Sequence, residues 1–573
     1  MSASVAVLGG GVAGLSTAHE LVERGFSVVV YEGRATFGGK SRSIPVPGSA
    51  PDGGASLPAE HGFRLFPGFY RHLPDTMSRI PGRGRERVTE DLVPAGITML
   101  AREDGPNAIV APAESPIDDF GPVMRFLARS LADLGIEAGE RAFFLQRLLV
   151  LLTSCDERRF EQWEHETWWS FIAGERRSPA FRALVADGLM RTLVAAPARE
   201  VSARTGGYLL LQRVFDLARA DGRADRLLDA PTNDVWIDPW VEHLRALGVE
   251  LHSNVDVVGI DCRAGRIEGV TVERNGARGV IAADHYVAAL PVEQLAKLVS
   301  PELAAAEPSL GRLHLLRTRW SNAIVFYLRE DVPVVAGHTI YVDSDWALSS
   351  VSQRQFWPRL DFARLGHGNV GGILSVDICD WERPSRRTGK VASTCGAQEI
   401  KDEVWAQLED HLNRDGETVL DHRDLVGWYL DDHISFPNPT AAANAEPVVV
   451  NTPGSWANRP AAVTGVPNLF IAADFVRTNT DVATMEAANE AARRAVNGIL
   501  DAARSAAPRC PVWPLREPAL FAQARALDRL LYRLRLPPRP PLRVTADGEL
   551  ESVGPAGRLF LPSRSAGPRT SRR

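Results

Sequence analysis

Ser4-Val5-Ala6-Val7-Leu8, running into Gly9-Gly10-Gly11-Val12-Ala13-Gly14, decides how this chain folds. The apolar pentapeptide has the length and composition of a buried strand. Leu15 to Arg24 has the period of a helix, with Gly25 as its C-terminal cap. Ser27 to Tyr31 is a second strand and ends at Glu32. The unit is βαβ, and Gly9, Gly11 and Gly14 form GxGxxG in the strand-to-helix turn. The first glycine permits the turn, the second lets backbone approach a pyrophosphate, and the third lets helix pack on strand. Val12 and Ala13 open the helix, whose N–H groups and partial positive charge face phosphate. Glu32 is placed to accept from a ribose diol, and Gly33 and Arg34 directly after it are counted with the cofactor-binding residues. The turn points to a dinucleotide and leaves NAD and FAD both open.

Outward from this unit come Gly38-Gly39-Lys40-Ser41-Arg42, then Glu60-His61-Gly62-Phe63-Arg64 and Phe66-Pro67-Gly68-Phe69-Tyr70. Glycines so placed let backbone lie against a flat ring system. A second α/β region spans 235–290: a helix over Pro239 to Leu247, strands Glu250 to Val258, Ile267 to Glu273 and Val280 to Ala289, and turns at Ala264-Gly265 and Asn275-Gly276. A third, Asn468 to Leu500, reads strand, polar loop, alanine-rich helix.

These blocks resemble the FAD-dependent amine oxidase and phytoene desaturase superfamily, closest in pattern to the plant and cyanobacterial type carotene desaturases. The likeness also rests on Glu200-Val201-Ser202-Ala203-Arg204, Leu228-Asp229-Ala230-Pro231, Pro239-Trp240 and Ala288-Ala289-Leu290-Pro291. A last block, Asn468 to Asp474 and Thr484 to Ala491, looks like the family's C-terminal flavin segment. The resemblance implies noncovalent FAD. Gly39, Lys40, Ser41 and Arg42 would approach pyrophosphate and flavin, and Gly62, Phe63 and Arg64 would lie beside the isoalloxazine. Val257 would meet adenine with its backbone, Asp474 would accept a ribityl or phosphate-side hydrogen bond, and the helix from Thr484 and Met485 would aim N–H groups at the flavin O2 edge. Ala473 and Ala487 stand where the family usually has glycine. The flavin-free GDP dissociation inhibitors share the fold, and retention of both terminal blocks argues against that reading.

The fold class expected is α/β, α+β overall: a Rossmann-like FAD-binding domain of the glutathione-reductase type with an inserted substrate domain of mixed sheet and helices. The expected division is 1–95, 205–295 and 430–505 for the cofactor and 96–204 and 296–429 for the substrate. An Arg/Pro-rich tail, 506–573, would carry an amphipathic helix over about 518–535.

A chain of 573 residues, 45% apolar and 24% charged, is large enough for such domains. Cys155, Cys262, Cys379, Cys395 and Cys510 form no C-x-x-C pair, so neither a disulfide framework nor a metal site is predicted, and a cytoplasmic setting fits. No secretion signal or membrane-spanning segment is read. Flavin carries the redox chemistry, so few catalytic side chains are needed. His61 and Arg64 are the candidates. Hydride transfer to flavin N5 from a hydrophobic, isoprenoid-like molecule is the first reading, with quinone or oxygen as electron acceptor, and amine oxidation is the second. Many amine oxidases of the superfamily have a lysine near flavin N5, in a strand resembling Ser321 to Glu330 here, where Ile324-Val325-Phe326-Tyr327-Leu328-Arg329 has none.

Trp163, Trp168, Trp169, Phe171 and Leu148 to Leu152 are candidates for a hydrophobic tunnel. Residues 505–573 hold 13 Arg against 5 Asp and Glu in a chain of net charge −6. Leu520, Ala524, Leu527, Leu531 and Leu534 share one helical face flanked by Arg525, Arg529, Arg533 and Arg535. Such a helix suits peripheral contact with an anionic bilayer, or docking on the protein's own acidic body. No nucleic-acid partner is expected, and disorder is expected from about Ser563.

Overall fold

Val5, Ala6, Val7 and Leu8 of the first strand are buried in succession on both faces, as a strand covered by helices on each side requires. In the computed structural model, which describes residues 3–50, 54–111, 120–217, 225–414, 416–438 and 441–557, this strand is central. β1 (Ser4–Leu8) leads through α1 (Val12–Val22) to β2 (Ser27–Tyr31); β3 (Glu250–His252), β4 (His285–Ala288) and β5 (Leu469–Ile471) complete a five-stranded parallel sheet ordered β3-β2-β1-β4-β5. The register places Val5 beside both Val28 and His285, and Val287 beside Phe470. α2 (Met485–Ala502) packs on α1, where Asn489 Nδ2 donates to Ser16 Oγ at 2.8 Å and to Thr76 Oγ1 at 2.9 Å.

Two expected strands are each divided. Glu250 to Val258 breaks at Asn254, whose φ of 55° is left-handed; Asn254 and Val255 donate their N–H groups to Arg34 and Glu32 carbonyls instead. Val280 to Ala289 breaks before Asp284, leaving Ala277–Ile281 in one sheet and β4 in another. The first of those sheets is an antiparallel meander, Asp256–Arg263, Arg266–Arg274 and Ala277–Ile281. Its turns, Ala264-Gly265 and Asn275-Gly276, have both central residues at positive φ, the two-residue geometry that matches strand twist.

The remaining large sheet has seven strands: Leu425–Leu430, Asn322–Leu328, Gly372–Ile378, Leu348–Ser352, Gly337–Tyr341, Ile97–Ala101 and Ala108–Val110, in that spatial order. Helices Phe120–Asp133, Ala138–Thr153 and Ala203–Leu217 build a separate apolar core beside it. Leu210, Leu211 and Val214 belong to that core, so the last helix runs unbroken across the 204/205 division read from sequence. Trp163, Trp168, Phe171 and Leu148 to Leu152 are buried against one another and Phe144, filling the core rather than lining a tunnel. Trp169 is partly exposed beneath the Arg199 guanidinium.

The tail returns to the body. Trp513 N–H donates to His72 Nε2 at 2.9 Å and Cys510 N–H to Asn497 Oδ1 at 2.8 Å. Helix Ala522–Arg533 then docks through buried Asp528, which accepts from Cys155 N–H at 2.9 Å and Arg158 Nε at 3.0 Å. Pairing that acid turns Ala524 inward with it and leaves Leu527, Leu530 and Leu534 outward, 43, 56 and 60% exposed, so Leu527 and Leu534 are parted from Ala524, with which they were expected to share a face, while Leu531 is half-buried. The disorder expected from Ser563 falls outside the described residues. All five cysteines are free and buried, and among the described residues no helix is long and apolar enough to cross a membrane.

A Cβ added at Gly14 would lie 1.9 Å from the Gly9 carbonyl oxygen, whereas one at Gly279 meets nothing within 4 Å. Gly14→Ala is expected to lower unfolding free energy by ~3 kcal/mol and Gly279→Ala by less than about 1 kcal/mol, checked by denaturant midpoints.

Candidate functional site

Four glycines bring two turns into contact. Gly9 has φ +110° and leaves 2.4 Å between an added Cβ and the Ala289 carbonyl oxygen, so the end of β1 lies directly against the end of β4. Gly38 N–H donates to the Gly10 carbonyl at 2.9 Å, Gly11 and Gly38 form a parallel bridge, and a Cβ on Gly39 (φ +58°) would come within 3.0 Å of Gly11 Cα. The first turn is held from the other side by Glu32, which accepts Gly10 N–H at 2.7 Å and Arg34 N–H at 2.9 Å. Burial raises the Glu32 carboxyl above its ordinary range, opposed by those two N–H groups and by Arg34 and Arg42.

A cavity of about 660 Å³ opens at this junction. Gly9, Gly11, Val12, Ala13, Glu32, Gly33 and Arg34 line it from the βαβ unit, and Gly38, Gly39, Lys40 and Ser41 from the second turn. Val257 comes from the meander, Asp474 from the loop after β5, and Thr484 and Met485 from the start of α2. Thr484 caps that helix by accepting Ala487 N–H at 3.2 Å. His61, Gly62, Phe63 and Arg64 complete the set. Gly14 and Arg42 do not line the cavity: Gly14 is packed under Gly9, and Arg42 lies behind the second turn, donating to the Gly39 carbonyl.

The sequence reading missed several wall residues: Tyr31, Asp256, Glu293, Lys297, Ser321, Asp377 and Glu446. Glu293 follows the Ala288 to Pro291 block by two positions and was findable there. Asp377, in the second insertion, and Glu446, in the segment after it, had no local signal, because neither sits in a motif.

Glu446 and Arg42 belong to a buried ion cluster beneath the wall. His61 Nδ1 lies 2.6 Å from Asp431 Oδ2, and His433 Nδ1 lies 2.9 Å from Asp431 Oδ1. These three residues bring ligand atoms within 4.8 Å of one another, as a metal triad does. Here the cation is a guanidinium: Arg42 Nη2 is 2.7 Å from His433 Nε2, and Arg42 and Arg34 both pair with Glu446. The histidines and Asn322 hold Asp431 well below the usual carboxylate range despite its burial.

Asp377 differs from these acids. It lies in strand Gly372–Ile378 opposite Ala323, and its Oδ1 is buried with no hydrogen-bond partner in the protein, 3.1 Å from the position of a Cβ on Gly62. Burial pushes its carboxyl up to about 7, with Arg64 and the Phe63 N–H pulling down and Asp431 and Glu60 pushing further up. Arg64 donates to Glu60 at 3.2 Å and keeps a buried Nη2 without a partner in the protein.

The model of a protein family described as flavin containing amine oxidoreductase matches residues 12–500. Zeta-carotene desaturase of Synechocystis is 22% identical over 521 residues, 87% of this chain and 97% of that protein. Carotenoid phi-ring synthase of Streptomyces griseus is 25% identical over 521 residues, 87% and 88%. The synthase of the same name from Chlorobaculum tepidum matches over 302 residues at 22%, half of this chain and 42% of that protein. Among solved structures, cyclohexylamine oxidase from Brevibacterium oxydans superposes with a TM-score of 0.58 at 16% identity, covering 88% of this chain and 100% of that one, a likeness of fold.

Two outcomes follow from the wall. A Cβ on Gly11 meets only the Gly39 backbone, at 3.6 Å or more, so the space beyond is the cavity. Gly11→Phe is expected to leave the fold intact by circular dichroism and cut bound flavin more than tenfold by absorbance. Asp377, raised from 3.8 to about 7, keeps a proton in the folded state that the unfolded chain has released. Its contribution to stability is complete below about pH 4 and is lost as pH rises through about 7. The melting temperature of Asp377→Asn relative to wild type is therefore expected to climb between about pH 4 and about pH 7 and to level off above.

Proposed function

Because the chain belongs to the flavin-containing amine oxidoreductase family, and is an FAD-dependent oxidoreductase, we propose that it desaturates or dehydrogenates a hydrophobic, isoprenoid-like metabolite. The observation that carries this is the strand Asn322–Leu328, buried throughout and without lysine, whose paired strand Gly372–Ile378 brings a carboxyl, Asp377, to the wall. The curated relatives named for carotenoid conversions, matched over most of the chain, support the same substrate class.

The wall fits FAD. Gly11 and Gly39 leave backbone open to the cavity, and the buried Arg64 Nη2, Asp377 Oδ1 and both Glu293 carboxylate oxygens on its lining have no protein partner. Gly9 to Ala13 with Lys40 and Ser41 would hold the pyrophosphate, Glu32 the adenosine ribose and Val257 the adenine. Asp474, Thr484 and Met485 would hold the flavin half. Bound there, FAD supplies the two-electron acceptor for a substrate C–H bond. The chain's own residues position and insulate that chemistry: α2 directs its N-terminal N–H groups at the site, Gly62 lets backbone lie flat, and the Arg42 cluster fixes His61 and Glu446. We assign the parallel sheet and its meander to the glutathione-reductase type of FAD-binding domain, with 1–95, 225–295 and 430–505 as its segments, and 96–217 and 296–429 to the substrate domain, which keeps helix Ala203–Leu217 whole.

Substrate and a quinone acceptor would both come from lipid, with oxygen the alternative acceptor. The outward leucines Leu527, Leu530 and Leu534, with exposed Arg533, Arg535 and Arg539 around them, suit the surface of an anionic bilayer. Wild-type protein is expected to float with vesicles containing phosphatidylserine, and Leu527→Ser/Leu530→Ser/Leu534→Ser to stay behind; equal flotation would remove the contact. For the reaction, anaerobic mixing with carotenes and squalene is expected to bleach the flavin band while a panel of amines does not. Bleaching by amines alone would make amine oxidation the function.

A further inference from the structure

Six carboxyl groups line the cavity, and their surroundings sort them. Glu32 is tied to the glycine turn and Glu446 is neutralised by two arginines. Asp256, Glu293 and Asp474 are carried by the meander and by the segments following β4 and β5. Asp377 alone comes from the seven-stranded sheet, the element that also carries the lysine-free strand. Its neighbours fix where it points. Ala323, opposite it in the ladder, donates its N–H to the His61 carbonyl at 3.2 Å, so the strand pair is pinned to the His61 to Arg64 segment. Gly62 lacks the Cβ that would press on the carboxylate, and the exposed part of Asp377 opens into the cavity.

We propose that Asp377 is the proton acceptor of the dehydrogenation, with Arg64 as the positioning cation that tunes it; this rests on the FAD-dependent reading above. Making one C=C bond from a CH–CH unit breaks two C–H bonds. One hydrogen leaves with its electron pair as hydride and reduces the oxidised flavin. The other leaves as a proton to the Asp377 carboxylate, its C–H electron pair becomes the π bond, and the carboxylate becomes the neutral acid, which later returns the proton to water. A group that exchanges its proton near neutrality is matched to this task. The groups facing Asp377 are Arg64 and the Phe63 N–H, which favour its anion, and Asp431 and Glu60, which oppose it, with Cys379 two residues on in the same strand.

The test uses the flavin-loaded full chain and needs no substrate. Reduction adds negative charge beside Asp377, so the carboxylate takes up a proton as the flavin gains electrons. The midpoint potential, measured against reference dyes from about pH 5.5 to about pH 8.5, is expected to steepen above about pH 7 by about 30 mV per pH unit, the two-electron equivalent of a tenfold change in proton concentration. Asp377→Asn is expected to abolish that bend, Asp377→Glu to keep one at a shifted pH, and Arg64→Gln to move it upward. A bend unchanged in Asp377→Asn, or absent from wild type that holds flavin, overturns the assignment alone. Wild-type protein that holds no flavin after reconstitution overturns the FAD reading and the assignment with it.

Discussion

The close approach of three chain segments at Gly9, Gly14 and Gly38-Gly39 is the constraint on which the rest of the structure depends. Gly9 brings β1 against the end of β4, Gly14 brings α1 onto the turn, and the second glycine pair brings in the segment that leads to His61. A methyl group at Gly9 or Gly14 would collide with a backbone carbonyl, which no rotamer change relieves. The parallel sheet therefore ends in a mouth of bare backbone. Every other wall element is added around that mouth: the meander beside Glu32, α2 beside Gly11, and the seven-stranded sheet beside Gly62.

Glu486 shows how distant sequence blocks are locked together there. It accepts Arg71, His72 and Leu73 N–H groups at 2.7 to 2.9 Å and the His72 imidazole at 2.7 Å, so the first turn of α2 caps the helix beginning at His72. Glu490, one turn on, accepts Asn479 and Thr480 N–H groups and closes the loop before α2. These glutamates hold the flavin block in place from behind, while Thr484 and Met485 face the cavity. Glu486 is held below the ordinary carboxylate range by His72 and those N–H donors, against full burial, which keeps it an anion and an acceptor.

How much of this was legible in the sequence follows from where the determinants lie. The βαβ unit was readable because strand period, glycine spacing and a terminal acid sit within thirty residues, and the meander because Ala264-Gly265 and Asn275-Gly276 mark its turns locally. The breaks at Asn254 and before Asp284 were not, since each depends on a hydrogen bond or sheet neighbour outside the segment. In the tail the helix and its docking on the body were readable, but not which residues face inward: Asp528 decides the rotation by reaching Arg158, 370 residues away, which buries Ala524, half-buries Leu531 and leaves Leu520, Leu527 and Leu534 exposed. In the site, Gly9 and Gly11 of the GxGxxG turn line the cavity, as do the residues taken from the family resemblance apart from Arg42, since a resemblance gives order along the chain but not side-chain direction. Asp377 was invisible, because its importance lies in what a neighbouring strand and Gly62 do to it.

The acids on and behind the wall show how one fold separates structural charge from chemical charge. Asp431 and Glu446 sit among His61, His433, Arg34 and Arg42, and both are depressed below their ordinary values. Removing a proton from them at neutral pH is already complete, so they cannot take part in exchange. Asp377 has a single nearby guanidinium, shared with Glu60, and two like charges behind it. The same burial that the ion cluster overcomes therefore wins at Asp377 and leaves it near 7. Were Arg42 to face Asp377 instead of Glu446, Asp377 would be held as an anion as Asp431 is. The arrangement of the arginines, rather than the number of carboxylates, sets which group can carry a proton.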